Sequence, residues 1–321
     1  MKSLQQHHIV TILAIGLAVV FSVVSPDFLK VDNVLSLLRN VSVLGILAMA
    51  MALVVIGRGI DLAMVAIMVI SSAFFINLYN AGYHPTVAAL AGLGFAVLVG
   101  VLQGTLIAYA EVPAIFTTLA AGVGIYGFGQ YFLVPQDVSH LPQSAEAFRN
   151  FGSFSLFGIP VQIFVVAVVA VGFQLFFRFT KYGWFIYAMG DNPAGARLAG
   201  VSVRLMAVFK YALAAAMAYG AGMLVVSTVS SMSLRIINST MIYDIILVVV
   251  LGGIGLSGGK GGILNVLSGT ILVGILLNGM TLLNVTYTSQ SIVKGCILLI
   301  ALMIDAYVNP RDEQTEKQGD I

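Results

Sequence analysis

The sequence is short of charge. Asp, Glu, Lys and Arg make up 9% of its 321 residues, against roughly 25% in an ordinary soluble domain. So few charges cannot clothe an apolar core in polar surface, which excludes a water-soluble globule. Cysteine is scarcer still: Cys296 stands alone within an apolar run. That excludes an internal disulfide and any cysteine-based zinc or redox site, and leaves packing as the role of a buried thiol. The four histidines are His7, His8, His84 and His140, and no pair of His, Cys, Asp or Glu has metal-ligand spacing. No metal site is expected. The fifteen Lys and Arg are scattered and the net charge is +2, so the basic stripe of a nucleic-acid binder is missing and nucleic acid is excluded as a partner.

What is present is apolar residue, 60% of the chain. Runs long enough to cross a bilayer, about 20 residues each, fall near 9–25, 34–57, 60–80, 86–109, 113–134, 160–178, 208–230, 241–257, 262–284 and 289–307. They predict an all-α integral membrane protein of about ten transmembrane helices, forming a single transmembrane domain over 1–321. The first run follows Lys2 but lacks a small-x-small cleavage site, and Pro26 follows the only suitable serine. It reads as the first membrane helix and not as a secretory signal.

Lys and Arg set the expected orientation. With both termini in the cytoplasm, ten fall inside, among them Arg178, Lys181, Arg197, Arg204 and Lys210, with Arg311 and Lys317 in a tail over 308–321. Five fall outside: Lys30, Arg39, Arg149, Arg235 and Lys294. Two connections are longer than bundled helices need. Pro135–Gly158 falls outside, and Phe179–Arg204 falls inside with the densest charge before the tail. Thirty-four glycines include the pair Gly100-xxx-Gly104, a spacing that lets helix backbones approach closely. The stretches VIGRGIDL (Val55 to Leu62) and VLGGIGLSGG (Val250 to Gly259) each close an apolar run with a glycine-rich turn. That echo is either chance or the trace of repeated halves.

Three motifs imitate catalysis. GLSGG at Gly255 to Gly259 matches a nucleophile elbow, but it lies between membrane helices with no histidine near it in sequence. Gly259-Lys260 fails as a phosphate loop because Ile254 and Gly261 stand where glycine and Ser or Thr are required. Ser291-x-x-Lys294 has no accompanying K-T-G. The chain therefore carries no ATP site, and any ATP dependence belongs to another subunit.

Polar residues inside spans are costly and point to function. Arg58 and Asp61, three apart, would share a face and neutralise each other if helical, either fixing a helix break at Gly57 and Gly59 or lining the transport path. Asp244 opens an apolar run near Arg235, and Asn278 and Gln290 are polar but uncharged. An ion-driven relay needs more carboxylates at depth than these. In the inner connection, Asp191-Asn192-Pro193 opens a short helix, with a capping side chain and proline in the first turn, and Gly200 ends it. Such a helix suits mechanical contact.

On these blocks the chain resembles the membrane subunits of ribose-type, monosaccharide ABC importers: GRGIDLA (Gly57 to Ala63), VPAIFTTLAA (Val112 to Ala121), KYGWFIYAMGDNPAGARLAGVSV (Lys181 to Val203), YDIILVVVLGGIGLSGGKGG (Tyr243 to Gly262), NGMTLLNV (Asn278 to Val285) and SIVKGCILLIALMID (Ser291 to Asp305), in family order. The resemblance implies a type II-like importer permease. It also implies a coupling helix carried by Asp191, Asn192, Pro193, Ala194, Ala196, Arg197, Leu198 and Gly200 within a cytoplasmic segment over 179–207. That helix would dock on an ATP-binding cassette ATPase subunit that holds the ATP and Mg. Further implied partners are a periplasmic sugar-binding protein and a second permease subunit in the bacterial inner membrane, around a path of alternating access. Arg58 stands where relatives commonly have Gly, and Ala63, Met64 and Val65 replace Ser-Val-Gly, a divergence that leaves the sugar open. The rival reading is a secondary transporter or channel that needs no ATPase.

Overall fold

In a computed structural model the described residues are 6–308. Seven helices are long and apolar enough to cross a membrane: α1 (Gln6–Val24), α2 (Val31–Ile56), α4 (Pro85–Tyr109), α7 (Val161–Phe179), α10 (Val203–Val229), α12 (Ile263–Leu282) and α13 (Tyr287–Val308). Three shorter ones complete the set. α3 is Met64–Asn80; α5, Ala114–Phe128, continues through a π turn at Gly129–Leu133; α11 is Met241–Leu251. Each of the ten predicted runs thus contains a helix. The small helices α6 (Glu146–Ser153), α8 (Lys181–Asp191) and α9 (Pro193–Leu198) lie in the two long connections.

Two boundaries differ from expectation. α11 stops at Leu251 after 11 residues, some six short of the predicted end, because seven of the eleven residues 252–262 are glycine and several take positive φ that helices exclude. α10 begins at Val203, five residues earlier than predicted, and Lys210, counted among the inner charges, is buried within the bundle.

α2 is apolar all round, and residues Leu44 to Ile56 are buried without interruption, the mark of a central helix. In its most apolar window 83% of residues are buried, against 11% in α13, so α13 leaves most of its surface to lipid or a partner. α4 and α10 make the closest pair. A Cβ on Gly100 would stand 2.6 Å from the Tyr211 carbonyl oxygen, and one on Gly104 2.6 Å from the Val208 Cα. The close approach expected of that spacing is realised there. Cys296, expected to pack as a buried thiol, is instead exposed on α13.

The ends of the bundle are distinct. At one end, β1 (Val138–His140) pairs antiparallel with β4 (Ser231–Ser233), and α6 lies over α10 with Gly152 against the Ser227 backbone. At the other end stand α8, α9, the turns 57–63 and 252–262, and an ion pair of 2.8 Å between Arg204 and Glu111. The expected tail over 308–321, with Arg311 and Lys317, and Lys2 at the other terminus, lie outside the described residues apart from Val308, the last residue of α13.

Candidate functional site

The connection between α7 and α10 folds into two capped helices. The Thr180 hydroxyl accepts from the Gly183 N–H at 3.1 Å to start α8. Asn192 ends α8 and caps α9: its Oδ1 accepts from the Gly195 N–H at 2.8 Å, with Pro193 in the first turn. Gly200, at φ +84°, closes α9, and the Gly200 and Val201 N–H groups return to the Arg197 and Ala196 carbonyls at 2.9 Å. Of the residues expected in this helix, Ala196 is buried and Pro193 half-buried. Asp191, Asn192, Ala194, Arg197, Leu198 and Gly200 are exposed. Leu198 is 92% exposed, a bare leucine at the tip of a short helix.

Behind α9, the end of α8 meets the core through main chain. Gly190 lies so close to the Ile56 carbonyl and the Gly259 N–H that a Cβ would collide with both. The Gly259 N–H donates to Ile56 at 2.8 Å, and a Cβ on Gly259 would meet the Asp191 main chain at 2.7 Å. Tyr187 of α8 donates its hydroxyl to the Gly261 carbonyl at 2.6 Å. Burial raises that phenol above its ordinary pKa, so it stays a donor. The echo between VIGRGIDL and VLGGIGLSGG has a spatial counterpart, since the two turns touch here.

The turn at 57–63 is held from α10. Lys210, buried, donates its ammonium to the Gly57 carbonyl, and the Tyr211 hydroxyl donates to Ile60 at 3.1 Å. Arg58 takes φ +59° and its Nε donates to the Ser257 carbonyl at 3.1 Å. Asp61 is fully buried; its Oδ1 accepts from the Ala63 N–H at 3.0 Å, and its Oδ2 has no hydrogen-bond partner among the described residues. The predicted sharing of one helix face by Arg58 and Asp61 does not occur, because no helix exists between them. Arg58 reaches across to Ser257 while Asp61 folds back on its own turn. The predicted helix break itself is present.

Asp244 and Asn278 lie toward the far end of the bundle, apart from Arg58 and Asp61. Asp244 was expected beside Arg235, but it pairs with Lys294 at 2.8 Å, both largely buried, and Lys294 also donates to the Thr240 hydroxyl at 2.7 Å. Arg235 pairs instead with Asp137 at 3.7 Å. Asn278 exchanges side-chain amide bonds with Asn33, 2.9 Å each way, joining α12 to α2. Sequence reasoning missed Lys210, Tyr211, Lys294 and Asn33. Lys210, Tyr211 and Lys294 fall within the first six residues of a predicted apolar run and Asn33 just before one, where a polar residue reads as loop. His84 caps α4 and His140 lies in β1, both at the opposite end of the bundle from Ser257.

A family model described as the permease component of the branched-chain amino acid transport system matches residues 33–302. The chain belongs to this family of ABC importer permeases. The ribose import permease protein of Bacillus subtilis is 32% identical to this permease over 289 residues, 90% of this chain and 89% of that one. That of Escherichia coli is 30% identical over 303 residues, 94% of each chain. The fructose import permease protein of Rhizobium meliloti is 29% identical over 307 residues, 92% of this chain and 84% of that one. The permease is therefore of the ribose type, a multi-pass membrane subunit of an ABC importer, as the sequence blocks implied. No solved structure matches it.

Proposed function

We propose that this permease carries a monosaccharide across the bacterial inner membrane by alternating access, driven by a separate ATP-binding cassette ATPase. α9 is its coupling helix. Arg197 and Leu198 face the ATPase, which holds the ATP and Mg; the permease breaks no covalent bond and needs no cofactor of its own. A second permease subunit completes the path, a periplasmic binding protein delivers the sugar, and both termini of the chain are cytoplasmic. Sugar is the cargo named for each of the relatives above.

The observation that carries this reading is the contact at Gly190. A push on exposed α9 passes along α8 into the main chain of Ile56, where α2 ends, and of Gly259, within the turn that joins α11 to α12. The turn after Ile56 leads into α3, so moving that junction acts on the ends of four membrane helices at once. Asp191, Asn192, Pro193, Ala194, Ala196 and Gly200 shape the helix, while Arg58 and Asp61 hold the turn it acts on.

The test is ATP hydrolysis and sugar uptake by the complete complex in proteoliposomes, with sugar-loaded binding protein added. Leu198→Asp and Arg197→Glu are expected to keep the complex folded and abolish stimulation of hydrolysis by the binding protein. Uptake driven by an ion gradient in the absence of ATP would overturn the reading in favour of a secondary transporter.

A further inference from the structure

Between α6 and α7 the chain makes a hairpin whose design is unusual for its position. β2 (Ser155–Leu156) pairs with β3 (Ile159–Pro160), Ser155 opposite Pro160 and Leu156 opposite Ile159. Only Phe157 and Gly158 remain for the turn, with φ of +52° and +79°. A two-residue turn with both φ positive favours Asn-Gly or Gly-Gly, because a bulky side chain in the left-handed region is strained. Here a phenylalanine occupies the strained position and is 94% exposed. Phe151, Phe154, Leu156 and Ile159 around it are exposed as well. Strain of this kind persists where something else compensates it.

The hairpin's depth follows from its attachment. The Val161 N–H, first in α7, donates to the Phe154 carbonyl at 3.0 Å, so the hairpin is tied to the end of a membrane helix. α7 has 19 residues, about the thickness of the hydrocarbon core at 1.5 Å per residue, and its exposed Phe164, Val168, Val171 and Leu175 continue the apolar surface downward. No charged residue occurs between Arg149 and Arg178, and Arg149 is folded back onto the Pro142 and Gln143 carbonyls. A docking face for a soluble protein carries a polar, charged rim; around this hairpin Asn150, Ser153 and Ser155 are exposed, but no charge lies between Arg149 and Arg178. Aromatic side chains on an uncharged segment at the end of a span fit the boundary between headgroups and acyl chains.

We propose that the hairpin is a lipid anchor: Phe157, with Phe154 and Leu156, inserts into the leaflet opposite the coupling segment and holds the 135–160 connection against the membrane surface. Its occupant is the phospholipid bilayer, and the anchor acts whichever sugar is carried.

Trp184 is the single tryptophan of this chain, so the full-length Trp184→Phe, Phe157→Trp permease, assembled in its complex in nanodiscs and read as the difference from the same complex carrying Trp184→Phe alone, reports from position 157. In phosphatidylcholine brominated near the headgroup end of its acyl chains, emission is expected to be blue-shifted and quenched roughly twofold or more, as for a ring about 5–10 Å below the surface. Bromine near the chain terminus quenches less, and aqueous iodide hardly at all. Solvent-like emission quenched by iodide and indifferent to bromine would overturn the proposal. So would iodide quenching that a sugar-loaded binding protein relieves, which would make the hairpin a protein docking site. As a check independent of tryptophan, Phe157→Asn suits the turn and is expected to leave thermal stability in detergent unchanged. In nanodiscs it should speed amide exchange over 155–160, and an unchanged rate there would equally overturn the anchor.

Discussion

Gly190 and Gly124 illustrate how differently one residue type can be used. A Cβ on Gly190 strikes main chain on two sides, whereas one on Gly124 meets open space. Gly190→Ala is therefore expected to cost about 1–3 kcal/mol from overpacking, and Gly124→Ala to be neutral or slightly stabilising; thermal unfolding in detergent distinguishes them, and equal midpoints would remove the close contact from the account. Asp244 and Lys294 give a second prediction. Lys294→Met leaves a buried carboxylate unpaired and should destabilise by about 3–5 kcal/mol, and adding Asp244→Leu should restore most of it. If the double variant is no better than the single, the pair is not a closed unit. Neither lysine role was readable from sequence. Lys210 and Lys294 fall close to the ends of apolar runs, where a cation ordinarily belongs to a loop, and only the burial of their neighbours in three dimensions turns them into clamps.

Among the helices, the ten apolar runs were readable because bilayer thickness dictates length and composition together, which leaves little room for another pattern. The caps of α9 were readable for a local reason, since asparagine, proline and glycine act within a few residues of themselves. Asn192→Ala should weaken α9 by about 1 kcal/mol and raise the exchange rate of the Gly195 amide while leaving that of α10 unchanged; uniform loosening of both would show that the cap is not local. The early end of α11 was harder to see. Its glycines hold the signal, but an apolar stretch containing glycine reads equally well as a continuous span when small residues are also the currency of helix packing. The same ambiguity hid the turn at 57–63, where Arg58 and Asp61 suggested one helical face and the chain instead gives each a separate partner.

For the whole molecule, the alternation of the chain puts the hairpin, α6 and the β1–β4 pair at one end and α8, α9 and the two glycine turns at the other. The excess of Lys and Arg near the second end sets the expected direction in the membrane. In a Cys296→Ser background, Asn150→Cys is expected to react with a membrane-impermeant maleimide on intact cells, and Leu198→Cys only after permeabilisation. The reverse pattern would invert the topology and with it the side from which sugar enters.

The junction of Ile56, Gly190 and Gly259 has one more consequence. Three lengths of backbone meet there with no side chain between them, so no rotamer can yield when one is displaced, and the hydrogen bond from Gly259 to Ile56 fixes the spacing of two of them. The contact is mechanically stiff where most interfaces between helices are padded. Under the proposed function, a small stroke on α9 should lose almost none of its amplitude before it reaches the membrane helices. Substitutions that merely soften this joint should then slow the transport cycle without altering affinity for sugar or nucleotide, a signature of lost stiffness that binding measurements alone would miss.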